Sequence, residues 1–521
     1  MSNTKTIAKN TGWYGLETTI SSLVAIASSI AIARTLGPTK TGYIIFISYV
    51  ASVVGSFGGF GIPAATSKYM AEFVGRGDKA TARYIFARTL WMQAALATLA
   101  TAGILVWALR NTEAPYRLAS VLIVLSIWPS MVNTILAGAN AACEDLAANA
   151  PASIASAFTY LFSILATVVF HWGVTGIGAA LLLMRLVDFL VRFFPTVARV
   201  HGWERGHALP DGARRRMTAF AAKSIATLLL AMVVWERFEV LLLKGYCADI
   251  RQVAYYSIAF SMGNTLLLSA TIFGGAASST IFAQFGRDRS KLPQLAASTY
   301  RYLALTSIPL HAIATALAFP ALLFFYGGKY AGAAAVVTIA PLLCMPKAFA
   351  GPVQGLLQST ERQTYVIAAM VLAGLVDVGV TWSLVGAHGA VGACIGSGAA
   401  QITAVGIMWA AAIRLDRVKL PWAFTAKVVF SSAAAAFTAH RVAMFMSPLP
   451  GMLLGGLVAA AMLLVLFYVL RVLEPEDRNR LSILIGMLPK PAARPCMLLV
   501  SLLVRRADGA DEPAEEIVPR T

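Results

Sequence analysis

Charged residues are scarce in this chain. They make up 13% of its 521 residues, against 58% hydrophobic, where a soluble globular domain carries roughly 25% charged. That deficit excludes an ordinary water-soluble fold, which could not cover so much apolar surface. Acidic residues are the rarer sign, 24 Asp and Glu against 42 Lys and Arg, for a net charge of +18. No aromatic-basic groove module accompanies the positive excess, so nucleic acid is not the implied partner. Lys and Arg placed in cytoplasmic loops to hold a membrane topology account for it. Cysteine is sparse too. Cys143, Cys247, Cys344, Cys394 and Cys496 are scattered through apolar or helix-end positions, without CxxC spacing or the density of a disulfide scaffold. They read as small core residues. Walker A, GxSxG and HExxH sequences are absent, which removes P-loop ATP hydrolysis and two common hydrolase chemistries. The six histidines are dispersed, and His201 and His207 share a loop without metal-ligand companions. No cofactor or metal is called for. The outer loops are too short to house an enzyme acting on extracytoplasmic glycans, so the chain does not read as an enzyme.

Apolar runs fill the chain instead. A spanning helix needs about 20 mostly apolar residues, and fourteen stretches qualify. The expected class is an all-α polytopic membrane protein. Six spans fall in residues 1–200, a basic connector occupies 201–217, six more spans fall in 218–413, two further helices in 414–471, and a cytoplasmic tail covers 472–521. Within the tail, residues 481–488 and 496–504 are too short to span and are expected on the membrane surface. The second span is expected over 42–62, the seventh over 218–243 and the tenth over 331–358. Lys5 and Lys9 precede an apolar run ending in Ala31-Ile32-Ala33, which mimics a signal peptidase site. That run is longer than a signal core and carries Glu17, so it is expected as a retained first span. The Lys and Arg bias, strongest at Arg214-Arg215-Arg216, puts both termini in the cytoplasm.

Two echoes divide the chain. Residues 34–78 return in degenerate form near 244–289, with Gly42-Tyr43 falling near Ala254-Tyr255 at an offset of about 211 residues. Gly176-Ile177-Gly178 opens the sixth span, as Gly389-Ala390-Val391 opens the twelfth. Two halves of six helices share one orientation, so the repeats are parallel and related by an axis along the membrane normal.

Ionisable residues inside spans are costly and usually face the bundle interior or a wet cavity. Arg185 lies roughly 18 Å from the outer end of its helix, near the midplane. Asp188 and Arg192 follow on the same stripe, and two readings stand: a self-neutralising ladder or a cavity lining. Lys347 is bracketed by Pro341, Pro346 and Pro352, which would break the tenth span where it lines a cavity. Asp377 is similarly deep, either an ion-pair partner for Lys347 or a protonatable coupling group. In Trp235-Glu236-Arg237-Phe238-Glu239, helical geometry points Arg237 about 100° from Glu236 and about 160° from Glu239, so the three cannot neutralise one another. Glu17, Arg88 and Lys223 sit about a turn from inner ends, where snorkelling suffices. Gly55, Gly58, Gly59 and Gly61 would let helices approach closely.

The runs ARTLGPTKTGYIIF and FGGFGIPAATSKYMAEFVGRGD, with QVAYYSIAFSM in the second half, resemble the polysaccharide-export flippases of the MOP (multidrug/oligosaccharidyl-lipid/polysaccharide) exporter superfamily. The likeness covers roughly residues 10–413 and includes the fourteen-span layout. It implies two six-helix lobes around a central cavity that moves lipid-linked oligosaccharides from inner to outer leaflet of a bacterial inner membrane, by alternating access without ATP. Partners on this expectation are the lipid-linked glycan, membrane lipids and a coupling ion, H+ or Na+, with the protein a monomer. The cations offered to the substrate phosphates are Arg185 and Lys347, then Arg88 and Arg237; the coupling acids are Asp377, Glu236 and Glu17. A multidrug extruder of the same superfamily is the alternative, and a membrane glycan polymerase or ligase a more distant one.

Overall fold

The computed structural model of the protein describes residues 2–206, 208–210, 212–474 and 477. Every regular element among them is helical, as lipid demands of backbone groups that find no water. Eleven stretches are long and apolar enough to cross a membrane. Two of these are too long for one crossing: Gly15–Phe57 and Gln363–Leu415, with 43 and 53 residues. Each contains one non-helical glycine, Gly37 (φ 72°, ψ 173°) and Gly389 (φ 53°, ψ −127°). The chain doubles back there. A Cβ on Gly392 would strike the Leu384 backbone, and one on Gly396 the Thr381 side chain, so the strokes on either side of Gly389 lie against each other. With both hairpins opened and the 37-residue helix Arg251–Arg287 added, the described residues cross fourteen times.

These crossings are labelled in order: α1 (2–36), α2 (38–75), α3 (Lys79–Asn111), α4 (Ala114–Ala142), α5 (Ala150–Val169), α6 (Gly173–His201), α7 (213–246), α8 (Arg251–Arg287), α9 (Leu292–Tyr326), α10 (Gly328–Ser359), α11 (363–388), α12 (389–415), α13 (Trp422–Met444) and α14 (Pro448–Val469). Helices α1 to α6 pack on one another through α5–α6, α4–α6, α1–α5 and α2–α4 contacts. Helices α8 to α12 close a second bundle, with the first part of α7 on the α11–α12 hairpin. The pair α13–α14 lies against α9 through Ala435, Ala439 and Leu317.

Three helices are interrupted. Helix α2 breaks at residues 58–61, where Phe60 and Gly61 take positive φ, and resumes as Ile62–Gly75 with Pro63 in its first turn. The expected second span stopped at 62; the structure carries it a further thirteen residues. Helix α7 ends its first part at Trp235, runs extended through Glu236 (φ −109°, ψ −164°) and resumes as Glu239–Tyr246. Helix α10 narrows to a 3-10 turn, Met345–Phe349, at the proline-flanked site foreseen from sequence.

The glycine echo is present with a shifted register. Gly173 and Gly389 are the positive-φ residues that open α6 and α12, and Gly176 and Gly392 press on Thr167 and Leu384 of the preceding helix. The other echo is looser, since α2 is broken and α8 is continuous. The connector is no free linker: Arg83 Nη1 donates to the His201 carbonyl at 2.8 Å and also to Trp203 O. Residues 481–488 and 496–504 lie outside the described residues.

Candidate functional site

Two clusters of ionisable side chains sit at mid-helix depth, one in each bundle. In the first, Asp188 of α6 is 9% exposed. Its Oδ2 accepts from Asn133 Nδ2 at 2.5 Å, and its Oδ1 from Arg192 Nη2 at 2.8 Å. Arg192 also donates to Ser153 Oγ at 3.1 Å. The ladder is therefore closed by Arg192 alone. Arg185 is exposed and makes neither ion pair nor hydrogen bond. It does not face outward with the exposed Leu183, Leu190 and Phe194, which sit roughly 120–160° around the helix from Asp188. Arg185 lies about 60° from Asp188 on the inward side, near Tyr160 of α5. It is an exposed cation on the inward side of α6, within electrostatic reach of Asp188 and Tyr160 but in no ion pair or hydrogen bond.

The second cluster is built by the break in α7. Because the helix stops at Trp235, its last carbonyl has no helical donor. Lys347, carried inward by the 3-10 turn of α10, donates to Trp235 O at 2.8 Å and to Asn264 Oδ1 at 3.4 Å, with its ammonium 6.0 Å from the Trp235 ring centroid. A cation at a helix C-terminus is electrostatically favourable. The expected Lys347–Asp377 pair does not form, because the ammonium is committed to this carbonyl.

Asp377 of α11 faces a carboxyl instead. It is fully buried, accepts from Thr381 Oγ1 at 3.0 Å, and lies beside Glu239, the first residue of the resumed α7 and also fully buried. Both Glu239 oxygens and Asp377 Oδ2 lack a hydrogen-bond partner. Tyr256 of α8 and Ser397 of α12 approach Glu239, yet the Tyr256 hydroxyl is not in bonding geometry. A small void of about 10 Å³ lined by Tyr256, Ser397, Gln401 and Cys394 adjoins them, about the room one water needs.

Residues 235–239 are not one continuous helix, so the helical angles expected between Glu236, Arg237 and Glu239 do not apply. Glu236 is exposed, while Arg237 lies over the Phe260 ring at 5.6 Å. Tyr49 of α2, 7% exposed, meets this cluster from the other bundle, within electrostatic reach of Glu239, Arg237, Glu236 and Asp377. Glu17 and Arg88 are in neither cluster; Arg88 is exposed on α3 and Glu17 half-exposed on α1. Sequence reasoning singled out Glu236 and passed over Glu239. No Gly or Pro marks the break, so the spacing alone held no sign of which acid turns inward.

Residues 31–335 match the family described as polysaccharide biosynthesis protein. No curated protein sequence matches the chain. Among solved structures, the lipid II flippase MurJ in an inward closed conformation superposes with a TM-score of 0.71 at 12% identity, covering 87% of this chain and 98% of that one. An inward-facing multidrug resistance MATE family transporter of the MOP superfamily gives 0.64 at 14% identity, covering 76% and 95%. A MOP superfamily transporter from Pyrococcus furiosus gives 0.58 at 14% identity, covering 80% and 96%. At these identities the likeness is one of fold.

Proposed function

The chain belongs to the polysaccharide biosynthesis protein family and has the fold of MOP superfamily transporters, and from that premise we propose that it is a flippase for lipid-linked oligosaccharide or polysaccharide precursors. The observation that carries the proposal is Arg185, an exposed cation on the inward side of α6 with no ion pair or hydrogen bond. A lipid diphosphate sugar presents anionic phosphates next to a polar glycan, and a guanidinium matches phosphate oxygens in bidentate geometry. Arg237, stacked on Phe260 and otherwise unbonded, is the second cation we assign to the substrate. Lys347 keeps a structural duty at the α7 break in this state, and Arg88 and Glu17 stay with the boundary regions.

Coupling falls to Glu239 and Asp377. Two adjacent buried carboxyls that no cation pairs with directly cannot both carry charge cheaply, so a proton or a bound cation must neutralise them. Loss of that neutralising ion would separate the two carboxyls, and the α7 break gives them room to move. In this scheme Glu239 replaces Glu236 as the partner of Asp377. The route needs no ATP. The Lys and Arg bias supports cytoplasmic termini in an inner membrane, with halves 1–200 and 218–413 acting as the moving lobes of a monomer.

Deletion followed by lipid analysis tests the reading. Accumulation of one lipid-linked oligosaccharide in the inner leaflet, relieved by the wild-type chain and not by Arg185→Gln, is the expected result. Unchanged lipids together with new drug sensitivity would identify a multidrug extruder instead.

A further inference from the structure

A cavity in the second bundle, on the same side as the connector by the count of crossings, belongs to neither cluster. Its volume is about 320 Å³, within the range of small-molecule sites. Three helix ends build it: Arg289 and Leu292 around the start of α9, Leu356, Glu361 and Arg362 around the end of α10, and Asp416 just past α12. Leu292 and Leu356 are buried and make its apolar part, while Arg289 and Glu361 are exposed. A tight turn closes α10 and brings Glu361 and Arg362 to the wall. In it Arg362 N donates to Leu357 O at 2.7 Å, and Glu361 takes a positive φ of 61°.

The polar part of the wall is incompletely satisfied. Arg362 Nη1 stands 2.8 Å from Asp416 Oδ1, and the Asp416 side chain is only 9% exposed. Yet neither Arg362 Nη1 nor Asp416 Oδ2 has a hydrogen-bond partner among the described residues. Buried donors and acceptors are nearly always bonded, so the pair retains one unmet donor and one unmet acceptor. Burial pushes the Asp416 carboxyl above its ordinary value, and the Arg362 charge beside it offsets this only in part. The carboxyl turns on a broad terminal torsion, which lets Oδ2 meet a donor in the cavity.

The signs of charge narrow the ligand. Arg289 and Arg362 are joined by the N-terminus of α9, which no side chain caps and which carries the positive end of the helix dipole. Asp416 and Glu361 put two negative charges in the same wall. A bare anion would meet the carboxylates and a bare cation the guanidiniums; a molecule of both signs avoids either penalty. Guanidiniums suit phosphate oxygens. The unmet Asp416 oxygen needs a cation that donates hydrogen bonds, which a primary ammonium does and a quaternary one cannot. Helix ends of a membrane protein stand at the headgroup layer, where charged pockets take up lipid headgroups.

We propose that this cavity binds a phosphoethanolamine group, with its phosphate on Arg289 and Arg362 and its ammonium on Asp416 and Glu361. The site lies apart from Arg185 and the acid pair and does not rest on the flippase reading, so either can fail alone.

Native mass spectrometry of delipidated full-length protein tests it, by titration with phosphatidylethanolamine, phosphatidylcholine or phosphatidylglycerol of equal chain length. Phosphatidylethanolamine should bind about tenfold more tightly than the other two, the worth of one charge-assisted hydrogen bond. Asp416→Asn should abolish that preference. Glu361→Gln should reduce it about threefold, as for an exposed ion contact, and leave phosphatidylcholine binding unchanged. Arg289→Gln should weaken both lipids alike, again about threefold. Should Asp416→Asn fail to fold, the two variants at exposed positions decide the matter. Free phosphoethanolamine separates the sources: weaker binding than the phospholipid assigns the site to a membrane lipid, equal binding to a soluble ester of the same chemistry. Equal affinity for the three lipids, or wild-type affinities in both Glu361→Gln and Arg289→Gln, would overturn the proposal.

Discussion

Arg192 and Arg185 share a helix face but should respond oppositely to removal. Asp188 is buried and its charge is met by Arg192, so Arg192→Ala leaves an uncompensated buried carboxylate and should cost about 3 kcal/mol or more, visible as a lower Tm in detergent. Arg185 has no partner to orphan. Arg185→Gln should leave Tm unchanged or raised while reducing transport of a lipid-linked substrate at least about tenfold, the cost of losing a charged phosphate contact. Asp78, outside the spans, gives a pH test. Hydrogen bonds from the Thr81 side chain and backbone N–H hold its carboxyl below the ordinary value. A depressed carboxyl contributes stability that is present above the ordinary carboxylate value, about 3.9, and is lost as pH falls through the folded one. Asp78→Ala should therefore cost about 1 kcal/mol as a lost N-cap near neutrality, and the difference from wild type should shrink below about pH 4, read by thermal melts across pH.

The broken helices carry the next scale. In α7 the break does two jobs: it offers the Trp235 carbonyl to Lys347 and starts a new helix on Glu239. Lys347→Met should loosen this junction by about 1–3 kcal/mol, the penalty of a buried carbonyl left unmet, with Lys347→Arg recovering part of it. Neutralising either member of the acid pair, by Glu239→Gln or Asp377→Asn, removes a like-charge contact. The fold should stay intact, and counterflow into liposomes should lose its dependence on the ion gradient. These elements were unevenly legible. Pro341, Pro346 and Pro352 announced the 3-10 turn of α10, because proline removes a backbone donor wherever it stands. Gly58, Gly59 and Gly61 read from sequence as sites of close helix approach, not as a break, and the resumption as Ile62–Gly75 lies beyond the expected span because Lys68, Glu72 and Arg76 look like loop residues. In the fold, Lys68 lies over the Phe220 ring at 4.1 Å, and Glu72 pairs with Arg76 at 2.7 Å. Tertiary contact made a helix there.

Fourteen crossings place the connector and residues 470–474 on one side, and the turns at Gly37 and Gly389 on the other. A reporter active only in the cytoplasm, inserted at Glu204 or after residue 474, should be active, and one inserted at Lys40 or His388 silent; any other pattern would refute the assigned orientation. The number and order of the helices were readable from the chain alone, because a bilayer allows few structures and sets their length by its thickness. So were the positions of Arg185, Lys347 and Asp377 along their helices, which follow from counting, and the resemblance carried by the LGP-x-x-x-G run. Partnership between helices was not readable. That Lys347 serves a carbonyl, that Glu239 turns inward beside Asp377, and that Gly42 lies on Ile250 all depend on which helices become neighbours, whereas the Asp188–Arg192 pair lies within one helix and was one of the two readings of its stripe. Sequence periodicity fixes the face of a regular helix, but residues 236–238 leave helical geometry, and the pairings join residues as far apart in the chain as Gly42 and Ile250. Only the packing of the two bundles decides them.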